Sequence, residues 1–155
     1  MKRRAPDEPP HPPDPAAYER DFALWIAHQA ELLRTNQFAQ LDLDNLIEEI
    51  ETVGRSQRHE LRSRLEQLLL HLLKCQFQPA RKSGSWLATL YEQRTRIAVI
   101  VKDSPSLKHA VTLLTNDAYP HAVRLAAYET GLAASTFPAT NPYSEDQLLD
   151  LDFVP

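Results

Sequence analysis

Arg94 is the residue whose placement points most directly to chemistry. At about 100° per residue, Trp86, Leu87, Leu90, Tyr91, Ile97, Ala98 and Val101 form one apolar arc, and Arg94 points into its middle. A guanidinium in such a place must find partners or be expelled to solvent. Gln29 holds the equivalent place in the arc of Phe22, Trp25, Ile26 and Leu33, and Glu49 and Glu51 flank the apolar face of the following helical stretch. The expectation is a polar network in the core, Gln29–Arg94–glutamate. It has two uses: fixing helix register, or opening an anion- or carboxylate-binding pocket with Arg94 as the fork. Register is the plainer of the two.

Other chemistries find less material. A di-iron centre in a helical bundle takes a Glu-x-x-His pair from each of two helices, with further carboxylates. The one Glu-x-x-His, Glu8 to His11, lies in a Pro-rich stretch, and His28, His59, His71, His109 and His121 are scattered. No metal site and no cofactor is expected. Cys75 adjoins an apolar run and reads as a buried, inert thiol. There is no Gly-x-Ser-x-Gly elbow, and three glycines leave nothing for a phosphate-cradling loop. No catalytic residue is assigned, and whether the chain is an enzyme stays open. Lys74, Arg81 and Lys82, with Trp86 close by, form a candidate basic surface for nucleic-acid phosphates. The acidic stretch before Gly54 opposes a continuous footprint, so solvated charge is the plainer reading.

The elements that must position these residues are helical. Asp14-Pro15, a cap followed by Pro at the first helical position, opens a helix to about Arg34. Asp42 opens the next, with Leu43, Leu46, Ile47, Ile50 and Val53 on one face. Its phase continues through Leu61, Leu65, Leu68, Leu69, Leu72 and Leu73, a wide apolar arc that predicts a central helix. One helix from Leu43 to Gln76 would be roughly 50 Å long, whereas a compact domain of this size spans only ~40 Å. A break at Gly54-Arg55-Ser56 is therefore expected. A further helix runs from Ser85 to Lys102, and Ser104-Pro105 starts the next. Pro120 should kink or restart it, and Gly131 should end it. The rest is largely extended, except for a short helix opened by a capping box, Ser144 with Gln147.

Composition agrees with this pattern. The chain has 155 residues, enough for one domain with a core, and a net charge of −4, which exerts no global pull on nucleic acid. Six of its 12 prolines lie between Pro6 and Pro15, so residues 1–14 read as a disordered tail and residues 15–155 as a single helical domain. No apolar stretch reaches the ~18 residues of a membrane span. With one cysteine and no secretory signal, a cytoplasmic location follows by default.

Several segments carry a resemblance together: Leu41–Glu51 (LDLDNLIEEIE), Leu72–Pro79 (LLKCQFQP), Ser85-Trp86, Glu92–Arg94, Asp103–Leu107 (DSPSL), Glu129–Leu132 (ETGL) and Ser135–Pro138 (STFP). With them the chain resembles the bacterial domain of unknown function 29 family from Tyr18 to Pro155. The resemblance implies a helical bundle in a small bacterial protein and implies no activity. It leads one to expect an uninterrupted helix where this chain has Pro120. The expected fold is thus all-α, with about five to six helices. The expected role is a non-catalytic protein-interaction module, binding through a helical groove or the C-terminal tail with its Phe137, Tyr143 and Phe153. The alternatives are a pocket at Arg94 and, third, nucleic-acid binding. The protein partner is not identified by the sequence, self-association through a leftover apolar face is allowed, and no membrane is involved.

Overall fold

The structure, a computed structural model, describes residues 15–155; the expected tail at 1–14 lies outside the described residues. The described chain is all helical, with six α-helices and no strand among the described residues. They are α1 (Pro15–Arg20), α2 (Phe22–Arg34), α3 (Leu43–Phe77), α4 (Gly84–Asp103), α5 (Val111–Thr130) and α6 (Glu145–Leu149). The described chain divides into two compact units, the first ending at Gly54 and the second running from Arg55 to Pro155.

The expected first helix is two. Asp21 leaves the helical region (φ −153°, ψ 84°) and its carboxylate accepts the amide of Leu24, capping α2. The side chain competes with the helix for local donors, which is why Asp favours caps. In the first unit, α2 and the start of α3 form an antiparallel hairpin joined by a single 3-10 turn, Phe38–Gln40. The pairing shows the direction: Trp25 meets Asp42, and Tyr18, seven residues earlier, meets Glu49, seven residues later. Only Trp25, Gln29 and Leu32 of α2 are buried.

Helix α3 does not break at Gly54; it is continuous over 35 residues. A helical glycine costs only about 1 kcal/mol relative to alanine, too little to interrupt the propagation of its neighbours. Pro120 likewise sits inside α5 without restarting it. The packing of α5 in the core outweighs the lost hydrogen bond.

The second unit has its core around α3. Leu61, Leu65, Leu68, Leu69, Leu72 and Leu73 are fully buried, packed with Leu90 and Ile97 of α4. Ala118, Ala122 and Ala126, one helical turn apart on α5, are also fully buried and allow close approach of that helix. Ser83 caps α4 through the amide of Trp86. A 3-10 stretch, Pro105–Ala110, precedes α5, which ends at Gly131 in the left-handed region (φ 73°). Ser144 and Gln147 form the capping box of α6.

Candidate functional site

The hairpin of the first unit carries a small polar centre. Gln29, 1% exposed, accepts the amide N–H of Asp42 through its Oε1 at 2.9 Å. The Asp42 carboxylate in turn accepts Trp25 Nε1–H at 3.1 Å and the Asn45 side-chain amide at 2.7 Å. Further along, the Tyr18 hydroxyl donates to Glu49. That bond, with lesser contributions from desolvation and the neighbouring carboxylates, pushes the Tyr18 phenol up to about 12. Tyr18, Phe22 and Trp25 stack and edge against one another, with centroids 4.8–5.9 Å apart. The bonds of Gln29 and Trp25 to Asp42 and of Tyr18 to Glu49 join α1 or α2 to the start of α3. They consume polar groups in closing the hairpin and leave none converging on a cavity.

Arg94 lies in the second unit and is 2% exposed. Its guanidinium is enclosed by the C-terminal segment. Nε donates to the carbonyl of Leu148 at 3.0 Å, Nη2 to Gln147 at 3.0 Å, and Nη1 to Phe153 at 2.7 Å and Leu151 at 3.5 Å. The Phe153 ring lies 5.9 Å from the guanidinium carbon. Burial lowers the Arg94 pKa and the nearby Asp150 and Asp152 raise it, but an arginine keeps its charge throughout. The arrangement is a cap on α6, whose last carbonyls have no helical partner of their own and carry the negative end of the dipole.

The expected network Gln29–Arg94–Glu49/Glu51 is therefore replaced. Gln29 and Glu49 bond within the hairpin, Glu51 is exposed, and Arg94 bonds the tail. The wheel identifies a charge that must be paired. It cannot see that backbone carbonyls more than fifty residues away do the pairing. The signal in the sequence is the short helix that the capping box at Ser144 opens: its last carbonyls need partners too.

The candidate basic surface is also redistributed. Lys74 is buried, 7% exposed, ion-paired to Glu129 and 4.4 Å from the centroid of the Trp86 ring. The wide buried arc of α3 takes in its position, and a buried ammonium requires its carboxylate. Lys82 donates to the carbonyl of Pro155 at 2.8 Å, Arg81 is exposed and Trp86 half-buried. Of the four, only Arg81 and Lys82 present charge to solvent.

Titratable groups elsewhere do not assemble into chemistry. Cys75 is buried and its thiol pKa is raised by burial, which disfavours the nucleophilic thiolate. His71 hydrogen-bonds the carbonyl of Gln67 at 2.9 Å, and burial lowers its pKa. His121 pairs with Glu66 at 2.8 Å on the wall of an open depression of about 350 Å³ that also holds His59, Arg62 and Ser63. Among the described residues no three His, Cys, Asp or Glu side chains group as metal ligands. No described helix is long and apolar enough to cross a membrane.

What remains conspicuous is apolar. Among the described residues sixteen large hydrophobics are exposed, and nine of them fall between Phe22 and Val53. On α2, Phe22, Ile26 and Leu33 lie to one side of the buried stripe of Trp25, Gln29 and Leu32. On α3, Leu43, Ile47 and Ile50 lie to one side of the stripe of Asp42, Leu46 and Glu49 that meets α2. In both helices the exposed set is displaced in the same rotational sense, which in an antiparallel pair brings both to one side. The hairpin thus offers a two-helix apolar ledge.

No curated protein and no solved structure matches the chain. The family model described as domain of unknown function DUF29 matches residues 17–154, nearly the whole described chain. The chain belongs to the DUF29 family of domains of unknown function.

Proposed function

We propose that the chain is a non-catalytic protein-interaction module whose binding surface is the apolar ledge of α2 and the start of α3. The carrying observation is the exposure there: Phe22 is 48% exposed, Ile47 54% and Ile50 70%. Fully covering a side chain of this kind gains roughly 1.5–3 kcal/mol, so half-exposed residues offer about 1 kcal/mol each to whatever covers them. Contiguous exposed apolar surface of this kind marks interaction sites. The C-terminal tail supports the same choice of surface. Phe137 and Tyr143 are buried and Arg94 is saturated with carbonyls, so the tail's own aromatics and the Arg94 fork are already engaged.

The test is a nuclease-treated pull-down with the tagged full-length chain beside the Ile47→Asp/Ile50→Asp variant. A stoichiometric protein retained by the first and lost by the second, with the two melting temperatures equal, supports the module. A protein retained equally by both places the binding elsewhere.

A further inference from the structure

The ledge has a charge character that selects its occupant. Residues 15–54 hold eight carboxylates and two arginines, a net charge of −6, while residues 55–155 hold ten acidic and twelve basic side chains. The excess is not spread evenly over the hairpin. Asp42 and Glu49 are taken by Trp25 and Tyr18 on the closed side of α3. On the opposite flank, at about 100° per residue, Asp44 and Glu48 border the open face of Leu43, Ile47 and Ile50. The corresponding flank of α2 carries Ala23, Ala27 and Ala30, with Arg34, paired to Glu31, at its C-terminal end. The ledge is thus apolar along its floor, acidic on one border, and lined mainly with alanine on the other, where Arg34 closes its end.

We propose that this ledge is the docking site for a basic amphipathic helix of a partner protein, a choice that rests on the interaction-module reading above. The floor matches a helix with an apolar stripe at i, i+3/i+4, i+7 spacing. The carboxylate border matches Lys or Arg along one flank of that stripe, and the alanine border admits close approach on the other. The 13 residues of α2 make the ledge about 20 Å long, so the helix that fills it has roughly 14 residues. A second copy of the chain fits less well. It would bring a hairpin of the same net charge, −6, against this one, with two arginines to set against eight carboxylates.

The experiment uses the full chain and three labelled 14-residue peptides at ~0.15 M salt, an ionic strength at which charges more than about 8 Å apart are screened. One is a Leu/Lys peptide patterned as an amphipathic helix, the second its Leu/Glu counterpart, and the third the same Leu/Lys composition in an order that forms no apolar stripe. Fluorescence anisotropy reads binding, and sedimentation velocity reads the oligomeric state of the chain alone. The amphipathic Leu/Lys peptide is expected to bind at least tenfold tighter than either control. Ile47→Asp should abolish that binding, and Asp44→Lys/Glu48→Lys should shift the preference toward the Leu/Glu peptide. Circular dichroism confirms that both variants fold; because these side chains are exposed, either variant alone suffices if the other does not.

Equal binding of the two amphipathic peptides overturns the basic-helix assignment and leaves the apolar module standing. Equal binding of the scrambled Leu/Lys peptide overturns it as mere charge attraction. A dimer of the chain that Ile47→Asp dissociates makes the second copy the occupant, which overturns the assignment and keeps the surface. A monomer that binds none of the three peptides overturns the assignment. If the pull-down partner is also insensitive to Ile47→Asp/Ile50→Asp, the ledge itself falls.

Discussion

Arg94 makes the residue-scale case. A charge at the centre of an apolar arc is visible from helical periodicity, and its near-complete burial follows from the same wheel. Its partners do not: the carbonyls of Gln147, Leu148, Leu151 and Phe153 reach it only because the tail folds back over α4. Arg94→Met removes the donors and leaves buried carbonyls unsatisfied, a loss of about 3 kcal/mol or more. It should lower the melting temperature and speed hydrogen exchange over residues 147–153. Arg94→Lys should recover only part of this, because an ammonium cannot span the fork. An unchanged melting temperature in Arg94→Met would overturn the capping role. His71 supplies a pH dependence. Burial holds its pKa below the ordinary value of 6.5, so in acid the unfolded chain takes up a proton that the folded chain refuses. Its contribution is present above pH 6.5 and is lost as the pH falls below that value. The fall in melting temperature between pH 7.5 and 5.5 should be smaller in His71→Gln than in the natural chain.

At the scale of elements, local signals and tertiary ones divide cleanly. Caps, the left-handed glycine and the capping box act within a few residues, and Ser83, Gly131 and Ser144 perform as their types dictate. Ser144→Ala should cost about 1 kcal/mol in thermal stability, with the loss centred on α6. The interruptions are harder to read, because a glycine or proline weakens a helix by a fixed amount while the neighbouring packing varies. Gly54 and Pro120 both lie inside helices that continue past them. A methyl group added at Gly54 meets nothing within 4 Å. Gly54→Ala should therefore stabilise the chain by about 0.5–1 kcal/mol, measured by urea unfolding. A loss of stability would mean that α3 bends there after all.

At the scale of the whole molecule, the two units differ in what they do with apolar residues. The second buries its leucines around α3 and satisfies its one deeply buried arginine. The first buries three residues of α2 and leaves nine large hydrophobics exposed between Phe22 and Val53. An apolar surface left open in one unit, while the other closes its core, supports the proposed docking face. Ile47→Asp should accordingly leave the unfolding free energy, measured by urea unfolding, within about 0.5 kcal/mol of the natural chain's, as substitutions at exposed positions generally do. The same substitution should remove binding to the ledge. A large destabilisation instead would show that Ile47 is covered by the chain itself.

The sequence by itself determined the helical class, most helix ends, the central place of Leu61–Leu73 and the family. Each of these is written in short-range spacing: 3.6-residue periodicity, capping residues and motifs contiguous in the chain. It also singled out Gln29 and Arg94 as polar groups on apolar faces. Only the tertiary structure decided what those groups bond, that Lys74 is buried against Glu129, and which half of each apolar stripe in the hairpin stays open. Periodicity says that a face is apolar. What covers that face depends on residues distant in sequence, whose positions are set by packing rather than by spacing along the chain.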